Sequence, residues 1–441
     1  MPKKKFISLD ALLFLILVIL FVEQYQLNIL FWILIFILFF FYLTTDFIYL
    51  KTKLLSAHDL KCLIIIFLIF FLFTTTVFQR IDQRLSLEKE KAASYPYHII
   101  HDGALQTEEA INFLLQDKNP YRENYFGTRL EKWNQGVIVT AYGQKALSIV
   151  NPALYHFIYL PFYLLSSLPF YLISKNFIGW YDQRLVLLIV FILAPFFLYK
   201  IPKKQESKRL LLILFAFNPI FTSSFITGFN DIFIFFWLLL SLWLLIKNKI
   251  TWSILILALA CASKQTAWLI LPFYFFYLWQ KNILSAGTKK GFLLMIKKQL
   301  LPFLVVIVLL IGPFLIWDSR SLIDDIFHYP NGSLLTSYPI RGIGFSFLLL
   351  ETNLIKSSLD YFPFWILQLI IGLPFLWFLL KNQQKNNTVC QMVFNYGIFV
   401  FIFLFFSRFF NFNYLTFLSM IFILTYFLKE RESLANENKI I

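Results

Sequence analysis

Leu301–Trp317 reads LPFLVVIVLLIGPFLIW, a run without one charged side chain. About 20 such residues wound as a helix at 1.5 Å each cross the hydrocarbon core of a bilayer. Leu27–Thr44, Leu63–Phe78, Pro363–Leu380 and Phe412–Leu428 repeat the pattern. The 441 residues are 59% hydrophobic, 20% aromatic and 14% charged, with a mean hydropathy of +0.71. Water-soluble domains are about 45–50% apolar and about 25% charged. A soluble fold of this size has too little interior to hide that much apolar surface. The sequence therefore predicts an all-α polytopic membrane protein, one transmembrane domain over residues 1–441.

The net charge of +15 raises the question of an anionic partner. The cations sit in short clusters between apolar runs: Lys3–Lys5, Lys51–Lys61, Lys203–Arg209, Lys247–Lys249 and Lys281–Lys298. Such clusters mark cytoplasmic loops. No basic stripe interleaved with aromatics is present, which argues against nucleic acid as a partner. Cys62, Cys261 and Cys390 all fall inside apolar runs and read as small buried hydrophobes. Ala11–Val22 follows a basic start without a small-residue cleavage site, and reads as a retained first helix.

With Lys3–Lys5 inside, the runs thread the bilayer about twelve times and return both termini to the cytoplasm. One long polar stretch, Arg80 to about Ala146, has no spanning run and is expected outside with an amphipathic helix in it. Asn151–Ile173, rich in proline and serine, is expected as an interfacial or re-entrant pair. Trp252–Trp279 is expected as two short helices meeting at Lys264-Gln265, and Asp318–Gly344 as a second outer loop. This places Asp102, Glu108, Glu109, Asp231, Asp324 and Asp325, and every histidine except His58, at the outer face. It also predicts residence in the cell membrane with any chemistry on the extracytoplasmic side.

Three constellations could carry that chemistry. In His101-Asp102-Gly103…Gln106…Glu108-Glu109, Asp102 stands just before a helix, and Gln106 and Glu109 share a face at i, i+3. The bland alternative is a helix N-cap with favourable first-turn acids. In Gly228-Phe229-Asn230-Asp231 a carboxylate sits at a helix mouth, where capping is again the alternative. In Ser263-Lys264-Gln265-Thr266 a lysine interrupts an apolar stretch and must reach water, a carboxylate or a phosphate, or else snorkel to the interface. Arg341 and Arg408 are further outer-face cations. Carboxylates facing cations suit a proton acceptor beside an anionic lipid headgroup. Walker, dinucleotide, Gly-x-Ser-x-Gly and zinc spacings are missing.

These motifs resemble those of the GT-C membrane glycosyltransferases. The likeness rests on His101-Asp102-Gly103…Gln106…Glu108-Glu109-Ala110…Asn119-Pro120-Tyr121, on Tyr155-His156…Pro161, on Asn218-Pro219…Gly228-Phe229-Asn230-Asp231 and on Ser263-Lys264-Gln265-Thr266…Pro272-Phe273. The resemblance implies hexosyl transfer, mannosyl-like and inverting, from a polyprenyl-phosphate donor to a glycan, lipid or protein acceptor. It implies catalytic Asp102, Glu109 and Asp231. His101, Gln106, His156, Asn230, Lys264, Gln265, Arg341 and Arg408 would bind substrate. The family's paired acids are here His101-Asp102, so no metal ligand is assigned, and a divalent cation, Mg or Mn, stays open. A transporter or lipid-linked-glycan flippase is the rival class, because transporters also break helices around polar sites. A purely structural membrane protein would not need the converging charges.

Overall fold

The computed structural model describes residues 8–45, 56–96, 98–133 and 150–440. Lys3–Lys5, Lys51, Lys53 and the last part of the expected long loop, 134–146, lie outside them. The described chain is helical apart from turns and loops, one two-residue parallel pairing, Arg341–Gly342 with Phe409–Phe410, and an isolated bridge between Tyr95 and Trp133. The helices are α1 Leu9–Gln24, α2 Ile29–Thr44, α3 Ala57–Lys89, α4 Asp102–Leu114, α5 Pro161–Ile178, α6 Arg184–Leu198, α7 Gln205–Ala216, α8 Pro219–Thr227, α9 Asp231–Ile246, α10 Ile250–Cys261 and α11 Leu271–Ala286. A long helical run, Thr288–Asn331, follows, then Phe364–Lys385, Val389–Phe405 and Phe412–Ile440.

Among the described residues, four helices are long and apolar enough to cross a membrane: α3, Thr288–Asn331, Phe364–Lys385 and Phe412–Leu434. The bent pair α7 and α8 makes a fifth if it is one span. Shorter apolar helices include α2, α6, α9, α10 and Val389–Phe405. Large apolar side chains stay exposed on these helices, as on Phe36, Phe40, Val308, Leu309, Ile370 and Trp377. A lipid-facing surface accounts for that exposure.

Several expected boundaries move, for physical reasons. The third helix does not stop at Phe78. A capping box between Ser56 and Asp59 starts it, and it continues to Lys89 because Arg84, in the polar extension, is fully buried against carboxylates. The polar loop therefore begins about ten residues later than its composition implies. Asn218-Pro219 separates α7 from α8: Pro219 occupies the first turn of α8, and the two helices meet at 49°. Asp318–Gly344 is not all loop, since the helical run continues to Asn331 past a non-helical Asp318. The two-helix reading of Trp252–Trp279 matches α10 and α11, separated by a 3-10 turn at Gln265–Ile270.

Side-chain pairs sort the helix ends into two groups. At one end Arg209 Nε donates to Asp10 Oδ2 at 2.5 Å, Tyr42 donates to the same oxygen, and Arg209 Nη1 reaches His58 Nδ1 at 2.8 Å. Tyr199 lies beside His58, and Arg431 Nη1 donates to Ile201 O at 2.9 Å. These contacts join the basic clusters that the sequence assigns to one side. The opposite end gathers α4, the α8–α9 turn and the α10–α11 break. Helix α5 belongs wholly to that end. Its start is tied to Ser263 O and Ala262 O, while Tyr171 near its finish bonds Asn112 of α4. It is a single helix with a 3-10 turn before it at Pro152–Leu154, in place of the expected pair.

Candidate functional site

His101, not Asp102, is the N-cap of α4. Its Nδ1 accepts from Gly103 N–H at 3.1 Å, and Asp102 is the first helical residue. With Nδ1 used as an acceptor, Nε2 carries the proton and faces Asp102 Oδ1 at 3.1 Å. Asp102 Oδ1 also accepts from Gly103 N–H at 2.7 Å, and Oδ2 from Asn151 Nδ2 at 3.2 Å. Burial pushes the His101 imidazole below its ordinary range, which keeps it neutral, although Asp102 acts the other way. Asp102 itself keeps 17% of its side chain open.

This corner is docked onto the α8–α9 turn. His101 N–H donates to Thr227 O at 2.7 Å, and the His101 ring lies 3.6 Å from that of Phe229. Two glycines permit the approach. Gly228 has φ +102° and faces Ala104 and Arg184, and a Cβ on Gly103 would overlap the Tyr159 hydroxyl.

On the other side of the turn, Lys264 Nζ donates to Asp231 Oδ1 at 2.9 Å and to Asn230 Oδ1 at 3.0 Å. Asp231 Oδ2 accepts from Asn413 Nδ2 at 3.2 Å, and the ammonium lies 5.6 Å from the Tyr414 ring centroid. Lys264 thus has a carboxylate partner; it does not snorkel. Two of its three N–H donors are taken. Asp231 is 2% exposed and opens α9 without capping it. The charges of Asp102, Lys264, Asp231 and Arg341 all reach His101, so the first-loop motif and the two helix breaks form one neighbourhood.

The remaining expected residues divide. Gln106 Nε2 donates to Ala153 O at 2.5 Å and to His156 O at 2.6 Å, fixing the 151–156 segment against α4. Gln265 Nε2 reaches Ile158 O and Ile326 O at 3.4 and 3.3 Å. His156 bonds Asp325 and Thr336. Arg341 Nη1 approaches the Tyr338 hydroxyl at 3.4 Å. Arg408 is 2% exposed and spends its guanidinium on three backbone carbonyls: Tyr338 O at 2.6 Å, Asp360 O at 2.8 Å and Ser358 O at 3.2 Å. Burial pulls its pKa down to about 10. These contacts make Arg408 a clamp on the 338–360 segment and speak against the anion-binding role expected for it.

Glu109 has left the site as well. Its carboxylate holds Arg129 Nε and Asn112 Nδ2 and belongs to a buried network that the sequence reading missed. Arg84 forks onto Glu108, with 2.7 Å to each oxygen, and reaches Asp182 at 2.7 Å. Arg184 in turn grips Asp182 and donates to Ile99 O. Burial alone would raise the Asp182 carboxyl, but Arg184 and Arg84 hold it well below the usual range. The one hint in the sequence was Asp182-Gln183-Arg184 at the edge of an apolar run. Among the described residues no group of three or more His, Cys, Asp or Glu side chains could hold a metal ion.

No curated protein and no solved structure matches the chain. Residues 159–280, from Tyr159 beside Asp102 through Asp231 and Lys264 to the end of α11, match the model of the MptA_B family, alpha-(1->6)-mannopyranosyltransferase, N-terminal domain, and this GT-C-type mannosyltransferase family is the one to which the resemblance points.

Proposed function

We propose that the chain moves a hexose, mannose by the family's description, from a polyprenyl-phosphate donor to an acceptor hydroxyl on a glycan, lipid or protein. The reaction occurs at the extracytoplasmic face of the cell membrane. The observation that carries this reading is the meeting of a partly open carboxylate, Asp102, with the Lys264–Asp231 pair and Arg341 around His101. Asp102 takes the proton of the acceptor hydroxyl as its oxygen bonds the anomeric carbon. The bond from that carbon to the phosphate oxygen breaks, and its electron pair leaves with the lipid phosphate. One displacement inverts the anomeric centre.

Asp102 suits the base role better than Asp231, which is paired with the Lys264 ammonium and is nearly closed to solvent. A positioned base contributes about 10²–10⁴-fold. Lys264, through its third N–H, and Arg341 would steady the departing phosphate, since fixed donors in a water-poor site stabilise developing charge strongly. Asn230, Gln265 and His101 hold these groups in place. A lipid-linked donor also explains how transfer proceeds on a face without nucleotide sugars. The transporter alternative finds no support in the family match.

The test is transfer by purified protein in nanodiscs, offered a panel of polyprenyl-phosphate hexoses and a glycan extract. Transfer from the mannose-bearing lipid is expected. Transfer from a nucleotide sugar alone would overturn the reading.

A further inference from the structure

We infer that His156, held by Asp325, is a hydroxyl-binding residue of the transfer site whose Nε2 receives a sugar hydroxyl in the place that the Thr336 hydroxyl fills here. The inference rests on the glycosyltransferase reading above.

Asp325 is 2% exposed, and one oxygen accepts from Phe157 N–H at 2.8 Å. The other lies 2.7 Å from His156 Nδ1. A carboxylate only accepts, so Nδ1 carries the proton and Nε2 presents a lone pair. That lone pair meets Thr336 Oγ at 2.6 Å. A latch between two loops could use any neutral donor and acceptor. Burying a carboxylate is costly unless it is well bonded, and what this one secures is the tautomer and aim of a single imidazole nitrogen.

The Thr336 hydroxyl is a chemical match for a sugar hydroxyl and sits next to the open surface. Its neighbour Leu335 is fully exposed, and Gly332, with φ +94°, turns the chain after the Thr288–Asn331 helix. The surroundings suit a sugar ring. Tyr155 and Phe126, each more than a third exposed, meet edge to face 5.0 Å apart beside His156. Tyr329 stands 4.7 Å from the imidazole and feels the charges of both Asp102 and Asp325. Gln106, one turn along α4 from Asp102, bonds His156 O, so the imidazole and the proposed base share one scaffold.

The experiment is a binding cycle on the full chain in nanodiscs. Methyl α-mannoside and its single-deoxy analogues are titrated by NMR against wild type, Thr336→Val and His156→Gln. Thr336→Val removes the competing hydroxyl while keeping the side-chain shape, and should tighten methyl α-mannoside binding about 3- to 10-fold, the worth of one neutral hydrogen bond. One deoxy analogue should lose a similar factor with wild type and almost nothing with His156→Gln. Thr336→Val also reports independently should His156→Gln fold poorly. Unchanged affinity in Thr336→Val, with the deoxy series parallel in wild type and His156→Gln, overturns the subsite alone. A wild type that binds no mannoside overturns the subsite together with the reading beneath it.

Discussion

Lys264 Nζ lies 2.9 Å from Asp231 Oδ1, which joins the α10–α11 break to the mouth of α9 across 33 positions of sequence. Both partners are nearly closed to solvent, at 11% and 3% side-chain exposure. A pair in that setting holds its geometry strongly, while its net contribution to stability is modest.

Removing one partner should therefore be worse than removing both charges. Lys264→Gln leaves Asp231 buried without its cation and should destabilise by about 3 kcal/mol. Adding Asp231→Asn should recover much of that loss. Donor affinity should stay weak in the double variant, because the phosphate has lost its donor. Chemical denaturation alongside donor titration checks this. Donor affinity restored together with stability would remove Lys264 from the binding role.

Arg408→Gln should behave in the opposite way. Its three carbonyl partners make it a clamp, and charged hydrogen bonds contribute about 1.5–3 kcal/mol each. Melting temperature should fall clearly while apparent donor affinity in the surviving fold stays within about 2-fold. A selective loss of donor affinity would return Arg408 to the anion site.

His101 supplies a pH signature. Burial holds its folded pKa below the ordinary 6.5, so on acidification the unfolded chain takes up a proton that the folded chain refuses. Stability should therefore fall as pH drops through about 6.5, by at most about 1.4 kcal/mol per unit. The slope ends at the lower folded value. His101→Asn keeps a good N-cap and should flatten the slope between pH 7 and 5.5 in thermal melts. An equal slope in both proteins would contradict a buried neutral imidazole.

Much of this arrangement was legible in the sequence, and the reasons are local. Apolar run length marks helices in lipid, and Lys264-Gln265 stood out as an interruption of such a run. The start of α4 was readable at Asp102, though the cap falls one residue earlier, on His101, because histidine is an uncommon N-cap. What stayed hidden depends on distant pairing. Arg84 looks like an ordinary juxtamembrane cation until Glu108 and Asp182 are brought to it, and the same pairing extends α3 past its apolar run. Arg408 and Lys264 look alike in sequence, but one meets carbonyls and the other a carboxylate.

The buried network predicts its own failure. Arg84→Met removes the cation shared by Glu108 and Asp182, both fully buried, leaving Arg129 on the first and Arg184 on the second, and should destabilise by about 3 kcal/mol. Because α4 carries both Glu108 and Asp102, residual activity should fall along with folding. Differential scanning of the purified variant reads the first effect. A melting temperature near wild type would contradict the network's structural role.

Asp102 is the proposed base. Asp102→Asn preserves side-chain shape, and His101 supplies the helix cap, so the substitution leaves capping intact. Purified Asp102→Asn in nanodiscs, assayed for mannosyl transfer from polyprenyl-phosphate mannose with donor binding measured in parallel, is the most direct test. Normal folding, donor affinity within about 2-fold and turnover reduced by about 10²-fold or more are expected, with Asp231→Asn losing donor affinity and stability instead. Turnover within about 3-fold of wild type in Asp102→Asn, with Asp231→Asn inactive though folded, would contradict that role and move the base to Asp231.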